Sequence, residues 1–188
     1  MNLNPITSLL SALPMLLIVT GCQEAPVSVI MPAGQAGALL PQTFENDKVN
    51  VELPAEWIPE PVFGMREASF RIPGPKGTEA EVSISTLPLS GGTLASNLLR
   101  WRSQAGHPSV DEATCLKETR PGQVSGHKAV LVQWDAYTDQ HPAVYGAVLE
   151  SGDTRYFIKF SGPGAWVKEQ AAAWDQFLQS LVLKELKS

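Results

Sequence analysis

The stretch Arg66-Glu67-Ala68-Ser69-Phe70-Arg71-Ile72-Pro73-Gly74-Pro75-Lys76-Gly77-Thr78-Glu79-Ala80-Glu81-Val82-Ser83-Ile84-Ser85-Thr86-Leu87 decides the fold. Residues 66–72 read as a strand. Pro73-Gly74-Pro75-Lys76-Gly77 is a dense turn signal, because proline fixes φ and glycine reaches conformations closed to other residues. Residues 79–87 then alternate, with Val82, Ile84 and Thr86 on one side and Glu81, Ser83 and Ser85 on the other. A period of two marks a strand with one face toward a core and one polar face. Strand, turn and strand together predict an antiparallel hairpin.

The same logic extends outward. Val49, Val51 and Leu53 alternate with polar neighbours up to Pro54, a short strand. Pro54, Pro59 and Pro61 then mark an irregular connection that contains Trp57. Downstream, Gly91-Gly92 precede Leu94, Leu98 and Trp101, which fall at i, i+4 and i+7 and form one stripe of a helix. Gly106, His107 and Pro108 end it. Four more strands are predicted at 115–120, 126–136, 143–150 and 155–160, with Ser151-Gly152-Asp153 turning between the last two. In 129–134 both faces are mostly apolar, which predicts a central strand covered above and below. Ser161-Gly162-Pro163-Gly164 opens a final helix. Its apolar stripe is Val167, Ala171, Trp174, Leu178 and Leu181, and its wet side Lys168, Glu169, Asp175 and Gln179.

Three strands, a helix, four strands and a helix, joined by short turns, predict a mainly antiparallel sheet. Two amphipathic helices each need a sheet face to cover. The expected class is α+β: an antiparallel β-sheet sandwiched by two helices, an α/β/α sandwich. All five Trp residues (Trp57, Trp101, Trp134, Trp166, Trp174) fall in this region and supply large side chains for its core.

The N-terminal segment carries a different message. The apolar run from Leu9 to Val19 is shorter than the ~20 residues a spanning helix needs. A short apolar run before small residues fits a cleaved secretory signal. It closes on Val19-Thr20-Gly21-Cys22, which resembles the lipobox of bacterial lipoproteins; no Lys or Arg precedes it. The resemblance implies cleavage before Cys22, a diacylglycerol thioether on its sulfur and a palmitate-type acyl chain on the new amine. Each buried CH₂ contributes about 0.8 kcal/mol, and stable anchoring takes more than one chain, which this arrangement provides. Gln23 after the cysteine, by analogy with enteric sorting, implies the outer membrane, facing the periplasm. The expected organisation is a signal peptide at 1–21, a lipidated N-terminus and flexible tether at 22–47, rich in Pro, Ala, Gly and Gln, and one domain at 48–188.

Composition narrows the function classes. The formal charge is −5 over 188 residues, with both signs interspersed. Nucleic-acid modules show a basic stripe, and polybasic membrane patches show a basic cluster; neither is present. With Cys22 lipidated, Cys115 has no partner for an intrachain disulfide and reads as a small buried hydrophobe. His107, His127 and His141 sit on separate segments, with no pair at metal-binding spacing, so neither metal nor cofactor is expected. His127 and Asp135 on one unbulged strand would lie ~26 Å apart, and no Gly-x-Ser-x-Gly elbow occurs, so a Ser-His-Asp set is not expected. Ser90-Gly91-Gly92-Thr93 lacks the Gly-Lys-Ser/Thr of a phosphate loop and reads as a tight turn into a capped helix. Asn97 and Trp101, four apart, share a helix face, and Arg100 lies beside them. These three residues form the candidate binding surface.

A second resemblance rests on Met65 to Arg71, Gly91-Gly92, Asn97, Arg100-Trp101, Gln104, Tyr156-Phe157-Ile158-Lys159-Phe160-Ser161-Gly162-Pro163, Phe177 and Leu178. This set is similar to a group of bacterial lipoproteins and secreted proteins with a PsbP-like (Mog/PsbP-like) domain. The resemblance spans roughly 49–183. It implies an antiparallel sheet between helices, and a binding or assembly factor rather than a catalyst. The expected function is a non-catalytic envelope module, anchored to the membrane through Cys22, that binds an envelope protein or a small ligand. The alternative is a small hydrolase-like envelope enzyme.

Overall fold

The computed structural model describes residues 42–184. Four strands come first: β1 (Gln42–Glu45), β2 (Val49–Leu53), β3 (Ile58–Pro59) and β4 (Arg66–Pro73). They are followed by β5 (Glu79–Pro88), α1 (Leu94–Gln104), α2 (Glu112–Lys117), β6 (Arg120–Val124) and β7 (His127–Trp134). The chain continues through β8 (Pro142–Ser151), β9 (Thr154–Pro163), α3 (Gly164–Glu169), α4 (Ala171–Ser180) and β10 (Val182–Leu183).

β4 and β5 pair antiparallel, Phe70 opposite Val82 and Ile72 opposite Ala80, so the predicted hairpin is present in the predicted register of faces. They belong to a seven-stranded sheet ordered β3-β4-β5-β9-β8-β7-β6, in which every pairing is antiparallel. A second sheet, β1-β2-β10, is three-stranded.

Strand parity divides the large sheet into two faces, each with its own apolar cluster. One face presents Phe70, Ile72, Val82, Ile84, Ile158 and Phe160 to α3, α4, the small sheet and Trp57. Phe177 of α4 lies at its centre, 5.1 Å from Trp57, 5.6 Å from Phe70 and 5.8 Å from Trp174 between ring centroids. The other face presents Val132, Trp134, Val144, Val148 and Phe157 to Leu98, Trp101 and Ala105 of α1 and Cys115 of α2. Helices therefore lie on both sides of the sheet, as the sandwich requires.

Several expectations need correction. Residues 115–120 are not a strand. Asp111 caps α2 by accepting from the Thr114 N–H at 2.8 Å and from its hydroxyl at 3.0 Å. The cap turns the segment helical, and Cys115 is still fully buried there. The strand starts only at Arg120, and β6 meets β7 through Ser125-Gly126, both at positive φ (53° and 78°), the geometry of a tight two-residue hairpin. The folded unit also begins earlier than Lys48. β1 occupies 42–45 within the stretch read as tether, because Phe44 packs edge-on against Phe70 at 5.0 Å. Among the described residues the two expected helices are four: a separate α2, and a C-terminal helix interrupted at Gln170 into α3 and α4. Leu181, counted in the helical stripe, is buried but extended. The signal peptide, Cys22 and most of the tether lie outside the described residues. Among the described residues no helix is long and apolar enough to cross a membrane.

Candidate functional site: a groove beside helix α1

α1 is fixed at both ends. At its start, Thr93 Oγ1 accepts from the Ser96 N–H at 3.0 Å, and Gly92 at φ 115° turns the chain into the helix. Arg155, buried and paired with Glu150 at 2.7 Å, donates to the Gly92 carbonyl at 2.6 Å. The segment Ser90-Gly91-Gly92-Thr93 is thus a turn into a capped helix. At the other end Arg102, also buried, donates to both Glu118 oxygens at 2.8 and 3.0 Å and to the Pro108 carbonyl. Trp134 Nε1 donates to the same Glu118 at 2.8 Å. The hydrogen bonds from Arg102 hold the Glu118 carboxyl below its ordinary range, against the opposing effect of desolvation.

The helix covers only part of its sheet face. Trp101 packs directly over Gly146 of β8, where an added Cβ would lie 2.3 Å from the indole ring, and meets Phe157 of β9 edge-on at 5.7 Å. Beyond Phe157, on β5 and β4, this face carries Ser83, Ser85, Glu81 and Ser69 and has no helix over it. On the β4 side the chain between β3 and β4 presents Phe63 and Met65, 83% and 62% exposed, around Gly64 at φ 69°. α1, the strand floor and residues 63–65 enclose a groove of about 410 Å³.

The three residues named from sequence line this groove together: Asn97, Arg100 and Trp101. Asn97 is 5% exposed and donates to the Thr93 carbonyl at 2.9 Å, so part of its role is to close the first turn of α1. Arg100 is exposed, with no ion pair among the described residues. The sequence reading missed the floor and far side: Phe63, Met65, Arg66, Ser83, Ser85, Phe157 and Lys159. The parity of β5 and β9 assigns these side chains to a face, but only the strand order β5-β9-β8 shows which of them α1 leaves bare.

The groove's charges are unevenly compensated. Arg66 pairs with Glu81, and Ser69 Oγ donates to Glu81 at 2.9 Å. Burial pushes the Glu81 carboxyl up, but these hydrogen bonds together with the positive charges of Arg66 and Lys159 outweigh it and leave it below its ordinary range. Lys159 donates to the neutral Gln104 Oε1 at 2.6 Å. Burial lowers the Lys159 pKa, and the more distant Glu81 only partly offsets that. A more polar depression of about 500 Å³ lies at the other end of the bare strands, where Arg71 is matched by Glu60 at 2.7 Å and Glu79 at 3.2 Å.

The histidines lie elsewhere. His107 contacts the Asp135 carbonyl at 2.9 Å, His141 meets the Thr138 hydroxyl at 2.7 Å, and His127 starts β7. Among the described residues no three His, Cys, Asp or Glu side chains cluster to hold a metal ion. Cys115 is sealed under α2, and burial pushes its thiol pKa up, away from the reactive thiolate.

No family model matches the chain, and no curated protein matches it. Solved structures do. Cyanobacterial PsbP (CyanoP) from Synechocystis sp. PCC 6803 superposes with a TM-score of 0.50 at 16% identity, over 82% of this chain and 98% of that one. The domain has a PsbP-like fold. LpqN of Mycobacterium tuberculosis, described as involved in cell envelope biogenesis, matches the PsbP-like domain with a TM-score of 0.48 at 9% identity, over 77% of this chain and 90% of that one. A Bacteroides thetaiotaomicron protein matches with a TM-score of 0.41 at 11% identity; the match covers 73% of this chain and 45% of that longer one. At such identities the likeness concerns the fold, and function has to be argued from the site.

Proposed function

We propose that this PsbP-like domain is a non-catalytic binding module of the bacterial envelope, tethered through acyl chains on Cys22, and that its ligand occupies the groove beside α1. The observation that carries the reading is the groove itself, where exposed Phe63 and Met65 share a lining with Arg100 and Lys159, neither of which forms an ion pair among the described residues. Its volume falls in the range of small-ligand sites, about 300–1,000 Å³. Exposed Phe63 and Met65 are side chains that an occupant would remove from water, each contributing about 1.5–3 kcal/mol when fully buried. Ser83 and Ser85, the hydroxyls on the floor, have no His or carboxylate hydrogen-bonded to them among the described residues. That favours holding a ligand over turning one over. The tether rests on the lipobox at Cys22, with the outer membrane, facing the periplasm, as the site of anchorage.

Site-specific photocrosslinking in intact cells tests the reading. A crosslinker at Ser85, in the groove, is expected to give a discrete adduct that a crosslinker at exposed Gln123 on β6 does not. Equal labelling from both positions, or none from Ser85, would remove the groove as the binding site. The intact mass of the membrane-extracted protein should match a chain starting at Cys22 and carrying acyl groups; a free thiol at Cys22, or a chain starting elsewhere, would refute the lipid tether.

A further inference from the structure

We propose that the groove's ligand is a small amphiphilic monocarboxylate, with its carboxylate between Lys159 and Arg100 and its apolar body along Trp101, Phe157 and the 63–65 segment. This inference rests on the groove being the binding site and goes further by naming the chemistry of the occupant.

Lys159 rises from β9 into the groove, half-buried, and its ammonium is held by Gln104 Oε1 at 2.6 Å. Gln104 is four residues after Arg100, so both project from the same side of α1, with Cβ atoms about 5–6 Å apart. The Lys159 head is therefore brought under the side of the helix that carries Arg100. Glu81, the nearby acid, is already engaged by Arg66 and Ser69. Arg100 and Lys159 thus share the groove with no ion-paired carboxylate of their own among the described residues, Glu81 reaching Lys159 only through its field, in a chain whose formal charge is −5. Desolvation disfavours the charged Lys159, and an anion delivered by a ligand would offset that cost where water is partly excluded.

Apart from the serine floor, Asn97 and the Glu81-paired Arg66, the rest of the lining is apolar. Phe157 and Trp101 form a continuous aromatic wall, and Met65 and Phe63 stand on the far rim. An inorganic anion would leave that surface wet. A neutral lipid would leave the cations unmatched. The depth of Lys159 favours a slender molecule over a folded protein surface, because Lys159 sits on the sheet floor while Phe63 is 83% exposed at the rim.

Calorimetric titration of the full secreted chain carrying Cys22→Ser, which needs no detergent, tests this with decanoate, decan-1-ol and decylamine below their aggregation limits. Decanoate is expected to bind at least about tenfold more tightly than decan-1-ol, and decylamine more weakly than either. Lys159→Met and Arg100→Gln should each weaken decanoate about five- to tenfold and leave decan-1-ol unchanged, while Lys159→Arg retains decanoate binding. Thermal melts of each variant verify folding. If decan-1-ol binds as tightly as decanoate, the carboxylate assignment is wrong and the groove reading survives. If none of the three binds while the Ser85 crosslinker captures a protein, the occupant is a polypeptide and this inference is overturned. If neither titration nor crosslinking reports on the groove, both readings fall together.

Discussion

The two faces of the seven-stranded sheet are built from the same strands and end in different states. Toward α3, α4 and the small sheet, the central alternate residues of β4, β5 and β9 are sealed: Phe70, Ile72, Val82, Ile84, Ile158 and Phe160 are each 0% exposed. Toward α1 the intervening residues of those strands include Ser83, Ser85 and Lys159, open to the groove. What differs is the cover. Two helices and three strands close one face, whereas among the described residues the α1 and α2 cluster takes in β7, β8 and β9 and, from β5, Leu87 near its end. A sheet covered on one half of a face offers a rigid floor without disturbing the core on its opposite side. If the groove is the binding site as proposed, stability and recognition lie on opposite sides of the same strands.

The strongest test of that division is Phe177→Ala. The ring touches Trp57, Phe70 and Trp174 on the closed face, and its removal is expected to cost about 3–5 kcal/mol in urea denaturation while leaving ligand affinity unchanged in the protein that remains folded. A loss below about 1 kcal/mol would show that the closed face does not dominate stability. Next in size is Gly146→Ala. The new methyl would meet the Trp101 ring at 2.3 Å and push on α1 from beneath, at about 1–3 kcal/mol. It should also shift the Trp101 indole resonance and reduce decanoate binding, since that ring is a wall of the groove. Unchanged stability and an unmoved indole signal would mean that α1 is not seated on β8 as described.

The smallest effect concerns Lys159 and alkaline pH. Burial lowers its pKa in the folded chain, below the ordinary lysine value of about 10.4. Below the folded pKa both states carry the proton and the full desolvation cost is present. As pH rises from the folded pKa toward the unfolded one, the unfolded chain binds more protons, so folding stability increases. Tyr145 acts in the opposite sense: burial, reinforced by its hydrogen bond to Asp135 at 2.8 Å, raises its pKa to about 12, so its contribution falls above pH ~10. The comparison is therefore wild type against Lys159→Met, which should lose only the lysine-dependent rise. Parallel pH profiles for the two would show that the groove floor is as wet as an ordinary surface.

The sequence revealed the closed face more readily than the open one. Val82 and Ile84 against Ser83 and Ser85 identify a half-buried strand, and Leu94, Leu98 and Trp101 identify a helix, because each pattern is local. Apolar Cys115 and Leu116 suggest a strand at 115–120, but the deciding signal is the Asp111–Thr114 cap a few residues earlier, which makes the segment helical. β1 was hidden in a stretch of low charge with Phe44 as its main apolar anchor, and its partner β2 also pairs with β10 from the far end of the fold. At the groove, Asn97, Arg100 and Trp101 were found because they share one helix. Phe63, Ser85 and Lys159 come from three separate segments, and only the crossover that places β9 beside β5 brings them together.

The small sheet has a consequence for how the polypeptide could be rewired. β1 and β10 flank β2, with Glu45 and Val182 both opposite Asn50, and Lys184 reaches back to Glu45 at 2.7 Å. First and last strands therefore run about two interstrand spacings apart, ~10 Å. A few glycines and serines could splice them into a closed ring, with fresh ends cut at the exposed Gly152-Asp153 bend. Such a permuted molecule would keep the groove intact and free residues 1–41 to be replaced by any other attachment.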